Sequence, residues 1–66
     1  MTAKRLAIRL RELRERRGWS QEQLAARAGI SRGYLARLET ARQDPRLSIL
    51  EKLARALKVK AATLLK

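Results

Sequence analysis

Arg32 and Arg37 stand five residues apart, with Ser31 directly before the first and Gly33 directly after it. A guanidinium donates two parallel hydrogen bonds from a planar fork. Its best partners therefore present paired acceptors: a carboxylate, a phosphate, or O6 and N7 of guanine. Other chemistry is scarce in this chain. It has no cysteine and no histidine, so disulfides, zinc sites and imidazole catalysis are excluded together. Six carboxylates lie scattered among 17 lysines and arginines, with no nucleophile–base pair and no phosphate-cradling glycine loop. The expectation is a binding protein that needs no metal or cofactor, not an enzyme. A net charge of +11 and a pI near 11.7 point to a polyanionic partner.

The segment that must position the two arginines runs from Ser20 to Glu39 and parses as two short helices joined by a tight turn. Ser20 is a helix cap, Gln23 closes a capping box with it, and Trp19 packs on Leu24 as a hydrophobic staple. Leu24, Ala25 and Ala28 form the apolar face of the first of these helices. Gly29-Ile30-Ser31 stops it and starts the second, where Ser31 caps and Leu35 and Leu38 mark the inner face. Ser31, Arg32, Gly33, Ala36, Arg37 and Thr40 then face outward. In so basic a chain this arrangement, over about residues 20–40, points to a helix-turn-helix reader of the DNA major groove.

The flanking segments are helical too. Leu6, Leu10 and Leu13 make one stripe over about Lys4 to Arg17, Ile8 lies nearly opposite it, and Gly18 ends the helix. Residues 40–46 are a polar loop in which Pro45 keeps the preceding helix from running on. Leu47, Leu50, Leu53, Ala54 and Leu57 give a fourth helix, and Val59, Leu64 and Leu65 a short last one. The chain is thus expected to form one all-α domain of five short helices across residues 1–66. No apolar run approaches the ~20 residues that span a bilayer. An arginine-rich start resembles an organelle presequence only weakly, since Glu12 and Glu15 interrupt it. The expected location is the cytoplasm, at the nucleoid.

The string from Leu10 to Glu39, followed by P-R-L-S-I-L-E-K-L-A-R-A-L-K-V from Pro45, resembles the Cro/cI-type (xenobiotic-response-element) helix-turn-helix family of DNA-binding regulators. The resemblance covers almost the whole chain. It implies a compact five-helix, lambda-repressor-like domain that binds double-stranded DNA as a transcriptional regulator or repressor. It also implies roles for individual residues. Gln21 falls where the family touches a phosphate and buttresses the reading helix; Arg32, Gly33 and Arg37 fall where base edges are read; Arg14 and Glu39 fall on a buried ion pair. Two departures stand out: Ala41 and Lys58 replace glycines at positions that commonly need a left-handed backbone. The loop after the third helix and the last corner are therefore expected to differ locally from the family.

The base-contacting set is accordingly Ser31, Arg32, Gly33, Ala36 and Arg37, on a site containing guanine, each bidentate arginine discriminating by ~1–3 kcal/mol. The alternative for both arginines is phosphate contact alone. Gly33 costs a helix ~1 kcal/mol relative to alanine, which close approach to a base edge would offset. Candidate phosphate contacts are Gln21, Tyr34 through its hydroxyl, Thr40, Arg42, Gln43 and Arg46; Tyr34 could instead cover the joint between the second and third helices. Competing readings are a non-specific cationic nucleic-acid binder and a membrane-surface helix. A membrane-lying helix would not need the turn chemistry, and single-strand binding would need more exposed aromatics. Assembly stays open between homodimer and monomer, with Val59, Leu64, Leu65 and Ile49 as the apolar residues for pairing. A usual interface of ~1,600 Å² is large for so small a chain. The idealised composition, without Asn, His, Phe or Cys, leaves a natural regulator and an engineered module on the same scaffold both open.

Overall fold

The computed structural model describes residues 2–65; Met1 and Lys66 lie outside the described residues. Five helices follow one another: α1 (Ala3–Arg16), α2 (Gln21–Ala28), α3 (Arg32–Glu39), α4 (Leu47–Leu57) and α5 (Ala61–Leu64). No strand occurs among the described residues. Helix α1 begins one residue before the expected start because Thr2 caps it, its hydroxyl accepting from the Arg5 amide at 3.1 Å. Helix α2 has the full capping box, with Gln23 N–H donating to Ser20 Oγ and Ser20 N–H donating to Gln23 Oε1.

The helices share one core. Its fully buried side chains are all leucines: Leu6, Leu10, Leu24, Leu35, Leu38, Leu53, Leu57 and Leu64. Helix α3 packs against α1 and α2, α4 against α2 and α5, and α5 closes back on α1. On α1 Leu6, Ala7 and Leu10 are buried and Leu13, half-buried, packs against the same core; at that level Arg14 also turns inward. Two expectations about the apolar faces need correction. Leu47 shares the stripe of Leu50 but is 67% exposed, because it opens α4 at the end of that helix, beyond the reach of the core. Leu64 is buried in the core, so it is withdrawn from the candidate pairing surface; Leu65 is exposed and Ile49 and Val59 are half-buried.

Four helices end in the same way. At the end of α1 the Trp19 amide donates to Arg14 O and the Gly18 amide to Glu15 O; at the end of α2 Ile30 donates to Ala25 O and Gly29 to Ala26 O. At the end of α3 Arg42 donates to Arg37 O and Ala41 to Leu38 O, and at the end of α4 Val59 donates to Ala54 O and Lys58 to Arg55 O. This is the Schellman arrangement, and it needs a left-handed residue after the helix. Gly18 and Gly29 supply it with φ of 70° and 71°; Ala41 and Lys58 supply it with φ of 61° and 56°. The expected local departure at Ala41 and Lys58 therefore does not occur. Both residues adopt the left-handed backbone, at the steric cost a Cβ carries there, because the paired carbonyl bonds and the packed helices on either side hold it.

Candidate nucleic-acid interface

Helix α3 is short, and its two faces are sharply different. Leu35, Leu38 and Glu39 are buried, Ala36 and Tyr34 are half-buried, and Ser31, Arg32, Gly33, Arg37 and Thr40 are exposed. The 3.6-residue period accounts for this: with Leu35 and Leu38 held inside, residues 32, 33 and 37 have nowhere to go but out.

The inner end of α3 is fixed by charge. Arg14 Nε donates to Glu39 Oε2 at 2.8 Å and Arg14 Nη2 to Glu39 Oε1 at 3.0 Å, a two-pronged pair across 25 residues of chain. The Glu39 side chain is 2% exposed and that of Arg14 11%. The third arm of the guanidinium, Nη1, donates to the Trp19 carbonyl at 2.7 Å, and Gln21 Nε2 donates to Glu39 Oε1 at 3.1 Å. The hydrogen bond to Glu39 raises the Arg14 pKa above its ordinary value, against the opposing effect of burial. A raised value means that the contribution of Arg14 is complete below the unfolded-state pKa and is lost only at more alkaline pH. Among the described residues no buried side-chain polar atom lacks a partner. The ion pair implied by the family resemblance is thus present, with Gln21 as its third member. Gln21 buttresses α3 through Glu39, so one of its two amide protons is already used inside the molecule.

The outer face has free donors. Among the described residues neither Arg32 nor Arg37 joins an ion pair; the pairs present are Arg14–Glu39 and an exposed Arg11–Glu15 contact at 3.6 Å. Ser31 caps α3 by accepting from the Tyr34 amide at 3.1 Å, which leaves its own proton available to an outside acceptor. A Cβ added to Gly33 would meet only Arg37 Nη1, at 3.7 Å, an ordinary contact. Its φ is not in the left-handed range either. Nothing within the protein therefore requires glycine at this position.

The expected phosphate contacts divide. Arg42 and Arg46 are exposed and Gln43 is half-buried, all on the loop between α3 and α4. Arg46 is also the N-cap of α4, where no side chain bonds the first amides. Thr40 differs: its hydroxyl lies 3.0 Å from Ala36 O and 3.2 Å from Arg37 O, so it donates to the end of its own helix. Tyr34 packs against the core with one face of its ring beneath Arg37.

Sequence reasoning missed the contacts made by Arg17 and by the Trp19 ring. Arg17 Nη2 donates to the Leu57 carbonyl at 2.6 Å, joining the end of α1 to the end of α4. The Trp19 ring carries Arg27 at 4.4 Å and Arg17 at 5.7 Å from its centroid. Trp19 thus packs on the core edge with cations over its ring. None of these contacts has a local signal, because the partners of Arg17 and Trp19 are set by how the helices close.

The helix-turn-helix family model HTH_3 matches residues 10–64. A hypothetical transcription factor of Neisseria meningitidis is 45% identical over 60 residues, covering 91% of this chain and 57% of that protein. The restriction-modification controller protein C.AhdI of Aeromonas hydrophila superposes with a TM-score of 0.92 at 37% identity, covering 94% of each chain. SinR, the master regulator for biofilm formation, solved in complex with DNA, superposes with a TM-score of 0.89 at 34% identity, covering 92% of this chain and 98% of that one. The chain spans 57%, 39% and 34% of the length of three curated relatives it matches. A match running from within α1 to the end of α5, in sequence and in backbone, places this chain in the helix-turn-helix family.

Proposed function

We propose that this chain binds double-stranded DNA sequence-specifically, seating α3 in the major groove as the DNA-binding part of a transcriptional regulator. The observation that carries it is the division of α3. Its inner end is locked by Glu39, Arg14 and Gln21, while its outer face presents the unpaired guanidinium groups of Arg32 and Arg37 around a bare Gly33. A rigidly held helix with free forked donors near its N-terminus suits base-edge recognition. The DNA complex of the relative SinR supports the same use of the fold. Ser31 and Ala36 complete the base-facing set. Arg42, Gln43 and Arg46 grip the flanking phosphates, with Tyr34 and the remaining polar atoms of Gln21 and Thr40 beside them. The preferred site contains guanine, and the place of action is the cytoplasm, at the nucleoid. No helix is long and apolar enough to cross a membrane among the described residues.

Selection from a random duplex pool at two salt concentrations tests this directly. The expected product is a defined, guanine-containing motif, weakened by about 1–3 kcal/mol in Arg32→Ala or Arg37→Ala. Sequence-blind binding that neither substitution alters would overturn it. A palindromic motif would assign two copies paired through Ile49, Val59 and Leu65, whereas a single short motif would assign a monomer. Gly33→Ala separates the explanations of the glycine. With no internal clash, it should stabilise the free protein by about 1 kcal/mol. It should weaken specific DNA binding only if the backbone approaches a base edge or sugar.

A further inference from the structure

The Arg37 side chain does not project at random from the exposed face of α3. Side chains on a helix lean toward its N-terminus, so Arg37 runs back over residues 34 and 33, one turn earlier. Its guanidinium carbon stands 5.7 Å from the centroid of the Tyr34 ring. Its Nη1 lies 3.7 Å from the point where a Cβ on Gly33 would be. The ring is half-buried and packed against the core, so it is a fixed surface. No carboxylate competes for the guanidinium among the described residues. Arg32 has no comparable seat: among the described residues no ring lies under it and no ion pair holds it.

We infer that Tyr34 is a positioning residue, its ring seating the Arg37 guanidinium toward the leading end of α3 so that Arg37 enters the groove already aimed. The inference rests on the proposed DNA recognition and adds a specificity role for an aromatic face. An arginine side chain is rich in rotamers, and every rotamer frozen on binding weakens the complex; a cation held over a ring has fewer to lose. Gly33 keeps the space beside the seat open. Alanine there makes only ordinary contact, but a branched side chain would reach beyond its Cβ into the guanidinium and push it off the ring.

Two measurements test the seat, one of them without DNA. In the free protein, ring currents should shift the Arg37 δ and ε protons away from those of Arg32, and Tyr34→Leu should abolish the difference. Identical Arg32 and Arg37 shifts in the unsubstituted chain would overturn the inference, whatever the DNA result. On DNA, Tyr34→Leu should lower the guanine preference at the position read by Arg37 by about two- to five-fold, the range an exposed cation–π contact supports. Tyr34→Phe, which keeps the ring, should restore that preference. A loss of affinity equal for all sequences, and the same in Leu and Phe variants, would instead assign Tyr34 to a phosphate through its hydroxyl and overturn the inference. A chain with no base preference at all would sink the proposed function, while the ring-current shifts would still decide whether Arg37 is seated.

Discussion

Three of the four helix corners are built alike and the fourth is not. Gly18-Trp19-Ser20, Gly29-Ile30-Ser31 and Lys58-Val59-Lys60 each run left-handed residue, apolar residue, N-cap of the next helix. The apolar member of each packs on the core, so the chain turns back onto itself within three residues. The corner after α3 opens with the same left-handed step at Ala41, but the next residue is the exposed Arg42, and the N-cap arrives only at Arg46. Where the other corners put an apolar anchor, this one puts a cation facing solvent. The contrast separates corners that close on the core from one that leaves a cation turned to solvent, free for the phosphate contact proposed above.

The contrast can be broken in stages. The largest effect should come from Glu39→Ala, which disconnects the first corner from the third by freeing Arg14 from α3. Leaving a buried cation without its partner costs about 3–5 kcal/mol, measurable by urea unfolding, and Arg14→Met with Glu39→Leu together should cost less than Glu39→Ala alone. Next comes Gly29→Ala. No atom lies within 4 Å of the added Cβ, so the loss of about 1–2 kcal/mol should be purely that of the left-handed backbone. Smallest is the reverse change. Ala41→Gly and Lys58→Gly should each stabilise by about 0.5–1 kcal/mol, the relief of Cβ strain being partly offset by the freer unfolded chain. For a domain this size, 1 kcal/mol corresponds to a Tm shift of about 4–8 °C. The two glycine variants should then part company on DNA. Ala41→Gly loosens the corner that carries Arg42 and should lower affinity, whereas Lys58→Gly should lose only the salt-dependent share of one distant charge. Equal effects on binding would mean that the α3 corner is no different from the rest.

Much of this was legible in the sequence, because the signals were local. Ser20 with Gln23, the glycines at 18 and 29, and the leucine periods fixed helix order to within a residue or two, and Arg14 with Glu39 followed from the family pattern. The signals failed where a residue's fate depends on what the assembled helices leave room for. Leu47 has the period of a core residue and sits outside, while Leu64 looked free for pairing and lies inside. Ala41 and Lys58 show the same limit from the other side. Their types argue against a left-handed backbone, and the closed bundle imposes it regardless. For the outer face of α3, the sequence named the exposed arginines but not the ring beneath Arg37, which depends on Tyr34 being held by the core.

Among the described residues the eight fully buried side chains are all leucine. Such a core supplies driving force but little discrimination, since one leucine fits another's place nearly as well, and uniformly packed leucine interiors tend toward fluctuating, interchangeable arrangements. Conformational uniqueness must then come from elsewhere. The cluster of Arg14, Glu39, Gln21 and the Trp19 carbonyl has one geometry in which all its bonds are made. It acts as the register mark of an otherwise ambiguous interior. A chain with Arg14 and Glu39 both made apolar should therefore stay helical and cooperative in its far-ultraviolet signal, yet show broadened methyl resonances and bind a hydrophobic dye.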